Sequence, residues 1–313
     1  MLINTWPIDE SYVESTPGAA KPGIIDDIST YPDVSGGLIS ALNAKEGETS
    51  ISTGYHVIEY LLWGQDTRAD GPGNRSYADY VVSGRGAVLA RRRSTYLHVA
   101  TELLVRHLQE LVAAWAPASD DDDSDRHNDR HHHGPDNYRA SFLRRPAHDA
   151  LGLVVKGMGA LGGPELAGER LTVAYETKDQ ENEHSCFSDN THNDIVLDAL
   201  GIENVCLGRY QRSDGSAIQG RGVCDWVALV DTALGARLKS DIAGSVAAAR
   251  AIPPPFDQAI LGNDSSPGRQ KIHHTIQALE HQTETLAEVA AAFHVGLTLA
   301  SSARSVFPER PVP

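Results

Sequence analysis

The chain is poor in sulphur, in aromatic rings and in positive charge. Its three cysteines, Cys186, Cys206 and Cys224, never stand in a Cys-x-x-Cys pair. A zinc ribbon and a thioredoxin-like redox motif are thereby excluded. One disulfide can form in an oxidising compartment, and the sequence leaves the pairing open. Lysine and arginine total 27 against 42 acidic residues, for a formal net charge of −15. With no basic surplus to displace phosphate counterions, generalised nucleic-acid binding is excluded. No stretch of eighteen consecutive apolar residues occurs, so no membrane-spanning helix is expected. There is no His-Glu dipeptide, hence no His-Glu-x-x-His zinc peptidase motif, and no Gly-x-Ser-x-Gly elbow. Period-two alternation bounded by turns is nowhere convincing, which argues against a sheet.

Helical periodicity is what the chain has instead. Ala147, Leu151, Val154, Met158 and Leu161 are spaced 4, 3, 4, 3, and Ile272, Ile276, Leu279, Leu286, Val289 and Phe293 follow 4, 3, 7, 3, 4. Leu104, Leu108, Leu111 and Trp115 repeat the pattern. Val223 to Ala251 reads as one Ala-rich helix, stopped by Pro253-Pro254-Pro255. Ile195 to Gly201 reads as a short helix with Gly201 at its end. Gly157-Met158-Gly159-Ala160-Leu161-Gly162 matches a dinucleotide-binding fingerprint, but the helical period runs through it, and Gly162-Gly163-Pro164 is read as a helix stop. The expectation is an all-α protein of two helical-bundle domains. The N-terminal bundle is placed at residues 1–116 and the C-terminal bundle at 137–313. Between them, residues 117–136 form a flexible Asp/His-rich linker or insertion, with no hydrophobic residue from Asp120 to Asp136. Its His127, His131, His132 and His133 could hold a divalent metal loosely, although a plain polar loop accounts for them.

The most informative stretch runs from Gly54 to Gly64. His56 and Glu59 lie three apart on an apolar helix and therefore point the same way. Ile51, Tyr55, Ile58 and Leu62 make a parallel apolar stripe, so the helix reads as buried. A buried ionisable pair must be mutually bonded or hold a metal. Gly54 lets a backbone or ligand approach closely. His-x-x-Glu also occurs at His107/Glu110 and His281/Glu284, where a hydrogen-bonded helix-face pair is the plainer reading. A second segment, Glu176 to Asp194, is almost entirely made of donors, acceptors and metal-ligand types, yet contains Cys186-Phe187. Its Asp179, Glu183, His184, Asp189, His192 and Asp194 are candidate ligands to complete a site with His56 and Glu59. Asp179/Glu183 and Gln180/His184 are i,i+4 pairs if a helix continues there. A mixed imidazole and carboxylate set suits iron, manganese or zinc.

These motifs resemble the imelysin family of bacterial cell-envelope proteins. The hallmark Gly-x-His-x-x-Glu is matched by Gly54, His56 and Glu59, and one branch of the family continues into Leu61-Leu62-Trp63-Gly64. That branch also carries the segment from Glu183 to His192. Further agreements are Trp6 to Glu10, Glu165 to Arg170, Gly201-Ile202 with Asn204-Val205, and Ile252-Pro253 with Pro255-Phe256-Asp257. The resemblance implies an all-α fold, with the hallmark pair near the interface of two domains. It also implies a periplasmic or cell-envelope location and a part in iron uptake. The implied ligand is a divalent or ferric metal ion, iron foremost and zinc as the alternative, or an iron-containing ligand. An envelope iron-transport component is the implied partner. Gly54 and Trp63 support the motif. The family's peptidase label gives a second reading, a metallopeptidase using His56 and Glu59. A third is a structural or interaction module without metal. Family members usually begin with a secretory or lipoprotein signal and upstream helices. This chain starts almost on its Trp-Pro-x-Asp-Glu segment, so an N-terminal truncation is expected.

Overall fold

The computed structural model describes residues 2–68, 70–117 and 137–295. The expected linker at 117–136 lies, apart from its first residue, outside the described residues, as do its four histidines. The fold is mainly helical. It divides into two compact units, and the division is not a single cut in the sequence. One unit comprises Met1–Arg145 together with His184–Asp189, and the other Pro146–Glu183 and Asn190–Pro313.

Among the described residues the first unit has five α-helices: α1 (Glu10–Val13), α2 (Gly36–Leu42), α3 (Tyr55–Trp63), α4 (Ala87–Trp115) and α5 (Tyr138–Leu143). Asp9 and Ser35 cap α1 and α2 by accepting from Ser11 N and Leu38 N. The unit's core gathers Val13, Ile24, Ile39, Leu61 and Tyr96, among others, and takes in Cys186 and Phe187 from the later segment. Buried Arg92 of α4 ties down the loop before α2. Its guanidinium donates to the carbonyls of Ile24, Ile25, Tyr31 and Pro32 at 2.6–2.9 Å. Buried Glu14 pairs with Arg75 at 2.9 Å and with Arg93, whose Nε donates at 2.9 Å. Two cations on one buried carboxylate, each with further acceptors, meet the condition under which a buried charge is tolerated.

The second unit contains α6 (Ala147–Ala160), α7 (Val173–Thr177), α8 (Thr191–Leu207), α9 (Val223–Val230), α10 (Thr232–Ala249), α11 (Phe256–Ala259) and α12 (Pro267–Ala292). Two apolar clusters fill it, one around Phe256, Leu166 and Ile195, the other around Leu238, Val227 and Leu286.

Four local expectations are corrected here. The helix does not stop at Gly162-Gly163-Pro164: α6 runs on as a π-helix from Leu161 to Thr172 with Pro164 inside it. The two glycines let α12 approach, since a Cβ at Gly162 would lie 2.6 Å from Gln282 Nε2 and one at Gly163 2.9 Å from Thr283 Cγ2. Gly201 does not end α8, because the apolar period continues through Ile202 and Cys206. The stop is Gly208, in the left-handed conformation at φ 62°. Val223 to Ala251 is two helices, broken where Asp231 turns extended and its carboxylate caps Leu234 N at 3.0 Å. Contrary to the expectation of no sheet, a short hairpin follows α8: β1 (Arg209–Gln211) pairs antiparallel with β2 (Ala217–Gln219), every residue exposed. Its strands are three residues each and bury nothing, so no alternation could announce them. A disulfide joins Cys206 to Cys224 across the base of this hairpin, leaving Cys186 as a buried thiol. No helix among the described residues is long and apolar enough to cross a membrane.

Candidate metal centre

The hallmark helix α3 starts where no side chain could stand. Gly54 has φ 98°, and a Cβ there would lie 2.6 Å from the carbonyl oxygen of Ile3. That carbonyl accepts the Tyr55 N–H at 2.8 Å. The close approach expected at Gly54 is thus made by backbone. The preceding loop is held by Tyr96, whose hydroxyl donates to Ser52 O, and by Ser52, whose hydroxyl donates to Ile39 O.

Periodicity alone offered two neighbouring stripes on α3, and the polar one faces inward. His56 and Glu59 are buried with Val57, Tyr60 and Leu61, whereas Tyr55 and Leu62 are nearly half exposed. His56 Nδ1 lies 2.9 Å from Glu59 Oε2. The other carboxylate oxygen, Oε1, accepts from Ser188 N at 2.9 Å and Ser188 Oγ at 2.7 Å. A carboxylate only accepts, so in the neutral imidazole the nitrogen facing Glu59, Nδ1, carries the proton. In that tautomer Nε2 presents a lone pair, and it is buried with no hydrogen-bond partner among the described residues. The His184 ring lies against it, 4.9 Å between centroids and tilted by 48°. Trp6 stands edge-on to His184 at 6.3 Å.

The segment bearing His184 is pinned at several points. The Phe187 ring packs 5.2 Å from Tyr60, and its carbonyl accepts Gly73 N at 2.9 Å. Gly73 in turn must lack a side chain, because a Cβ would meet the Trp63 carbonyl at 2.7 Å. That carbonyl also accepts Arg75 N. Trp63 therefore contributes to the site through its backbone, while its ring is partly exposed. Arg75 stacks on Tyr60 at 5.1 Å, so the Glu14–Arg75–Arg93 group lies directly behind α3. Burial, the nearby Glu14 charge foremost among the rest, pushes the Tyr60 hydroxyl well above its usual value.

The remaining candidates are placed as follows. Asp189 shares the unit of His56 and has a left-handed backbone at φ 54°. Glu183, His192 and Asp194 belong to the second unit, as does Asp179. Asp179 is exposed and accepts Glu181 N at 3.1 Å. Glu183 is buried, and Asp194 accepts Asn190 Nδ2 at 3.0 Å. The α-helix expected to set Asp179/Glu183 and Gln180/His184 at i,i+4 does not continue there. The helix ends at Thr177, Lys178 is left-handed at φ 56°, and only a 3-10 turn, Gln180–Asn182, follows. The structure thus brings together His56, Glu59 and His184. Among the described residues, no group of three His, Cys, Asp or Glu side chains is disposed to hold a metal by itself. Sequence reasoning passed over Ser188 because a hydroxyl is not a ligand type, although it lies inside the quoted motif. Of the two other His-x-x-Glu pairs, His281 and Glu284 sit exposed with 3.6 Å between them.

The fold is similar to that of a solved protein from Parabacteroides distasonis ATCC 8503 described as an iron-regulated protein A precursor. The TM-score is 0.60 at 16% identity, over 93% of this chain and 74% of that one. No curated protein matches. The family model for imelysin, peptidase M75, matches residues 1–286. With that match spanning nearly the whole chain, the protein belongs to the imelysin family.

Proposed function

We propose that this chain is a cell-envelope protein of iron uptake that binds iron, or an iron-containing ligand, at His56 and His184. The observation that carries the reading is the buried Nε2 of His56, without a hydrogen-bond partner among the described residues, its ring backed by Glu59 and faced by a second imidazole. A histidine held by a carboxylate through its other nitrogen is the usual support for a metal-binding imidazole. The ring separation fits as well. Metal–nitrogen bonds of about 2.0–2.1 Å put two imidazoles in neighbouring positions on one ion with ring centres roughly 4.5–5.2 Å apart, against the observed 4.9 Å. Rings on opposite sides of an ion would stand about 6.4 Å apart by the same bond lengths. Two nitrogens leave the other positions to water or to donors carried by an incoming iron chelate. Imidazole suits iron and zinc alike.

In this reading Glu59 orients His56 rather than binding the ion, with its Oε2 on His56 Nδ1 and its Oε1 taken by two donors from Ser188. The same engagement weighs against a peptidase, in which Glu59 would have to take a proton from water. Three further observations support an iron-related envelope role. They are the imelysin family membership, the iron-regulated precursor with the same fold, and a disulfide, which belongs to oxidising compartments.

The test is metal analysis after gentle purification, followed by iron and zinc titration of wild type, His56→Ala and His184→Ala. Each variant is expected to lose at least ten-fold in affinity, the scale of losing a ligand or its close support. Stability loss with unchanged or absent metal binding would overturn the reading and leave a structural brace.

A further inference from the structure

The segment between α3 and α4 and the start of α4 enclose a cleft of about 550 Å³ that shares no residue with the candidate metal centre. Small-molecule sites run from roughly 300 to 1,000 Å³. Val81, Leu89 and Ala90 give the cleft apolar walls. Its polar lining is sparse. Ser83 and Asp79 contribute, and so does Arg93, which is only 8% exposed.

Arg93 is the informative group. A guanidinium carries five N–H donors. Three are used here: Nε and one on Nη2 donate to Glu14 Oε1, and one on Nη1 donates to the Asp79 carbonyl. One N–H on each terminal nitrogen is left without an acceptor among the described residues. Glu14 cannot supply more, because its second oxygen faces Arg75 Nη2 at 2.9 Å. The Asp79 carboxylate stands 3.7 Å from Arg75 Nη1, so it answers Arg75 and not Arg93. The surroundings are biased the same way. Residues 75–93 hold five arginines, Arg75, Arg85, Arg91, Arg92 and Arg93, against the single carboxylate of Asp79, in a chain of formal net charge −15. Gly86 also lines the cleft, at the N-terminus of α4, where no side chain caps the helix. The positive end of the helix dipole adds to the preference for an anion.

We propose that this cleft binds a small monocarboxylate with an apolar body, its two oxygens on the remaining Nη1 and Nη2 donors of Arg93 and its body against Val81 and Leu89. Paired donors on a guanidinium match the two oxygens of a carboxylate. The apolar walls select against a wholly polar anion. Asp79 at the lining selects against a dianion, which would meet its charge.

The probe is hexanoate, titrated into the full 313-residue chain and followed by ligand-observed NMR. Arg93 also braces Glu14, so its part is read from the ligand and not by replacing it. Hexanoate should saturate with a Kd on the order of 1 mM, the scale that a ligand of this size reaches. Hexanol, with the same body and no charge, and inorganic phosphate, with charge and no body, should each bind at least ten-fold more weakly. The variant Gly86→Trp occupies the cleft itself. A Cβ at Gly86 meets nothing within 4 Å, and its φ of −84° suits any residue. That variant should keep the wild-type helical spectrum and lose hexanoate affinity ten-fold or more. No saturable hexanoate binding, hexanol or phosphate binding as tightly as hexanoate, or a folded Gly86→Trp variant that binds hexanoate like wild type would each overturn the proposal.

Discussion

Replacing Glu59 by Gln probes the candidate centre without removing an atom's worth of volume. Glu59 faces three donors: His56 Nδ1–H on Oε2, and the Ser188 amide and hydroxyl on Oε1. A glutamine has one oxygen and one NH2. The Ser188 amide can only donate, so the glutamine oxygen must stay on that side. Its NH2 then points at His56 Nδ1, which must become an acceptor. The imidazole proton moves to Nε2, and the lone pair that faced the His184 side is gone. The hydrogen-bond count is preserved while charge assistance is lost, so the stability cost should be small, about 1 kcal/mol. Metal affinity should fall ten- to hundred-fold, which is about 1.4–2.8 kcal/mol. Nitrogen-15 shifts of the imidazole report the tautomer directly, and a metal titration reports the consequence. If the variant keeps the proton on Nδ1 and binds metal as before, Glu59 does not set the state of His56, and the supporting role assigned to it is wrong.

Gly54→Ala should cost about 2–4 kcal/mol. The backbone at φ 98° and ψ −174°, a region essentially reserved for glycine, contributes about 1–3, and pushing Ile3 away from Tyr55 N about 1 more. Gly18→Ala, also at positive φ but with open space around it, isolates the first part, and equal denaturation midpoints would show that Ile3 yields freely. Burial first, then the neighbouring Asp194 charge, pushes the Asp198 carboxyl up to about 6, against about 3.9 in an unfolded chain. The folded state therefore holds a proton that the unfolded state has released, so this contribution to stability is full below about pH 4 and is lost as pH rises through about 6. Asp198→Asn should be more stable than wild type at pH 7, by up to about 3 kcal/mol. The gap should close on acidification towards pH 4, and a gap independent of pH across this range would exclude Asp198 as its source.

Much of the candidate site was legible because its chemistry sits at short spacing. His56 and Glu59 share a face by helical geometry alone, and Gly54 announces a close approach. Which stripe of α3 faces inward was not legible. Two adjacent stripes differ by one residue, and the choice is made by Val57, Tyr60 and Leu61 packing on the core. The meeting of His56 with His184 and of Glu59 with Ser188 was foreshadowed only by composition, since no local pattern fixes a contact across 129 residues. The helices were read well where the apolar period ran unbroken, as in α6 and α12. They were misread where glycine was taken as a stop. At Gly201 the flank is open to solvent, and at Gly162 the residue is small to admit Gln282. Neither reason is visible without the neighbouring helix.

The insertion of His184–Asp189 into the first unit has a consequence for how the chain acquires its structure. Domains ordinarily fold in order as the N-terminal part is synthesised. Here residues up to Arg145 cannot finish on their own, because Phe187 of the core and Ser188 of the Glu59 network are made later. Until that short loop arrives, Glu59 and the pocket left for Phe187 await partners. The candidate centre is then among the last parts to form, assembled by a late, long-range closure of the kind that slows folding. A fragment ending at Arg145 would be expected to carry the whole hallmark motif and still lack its centre.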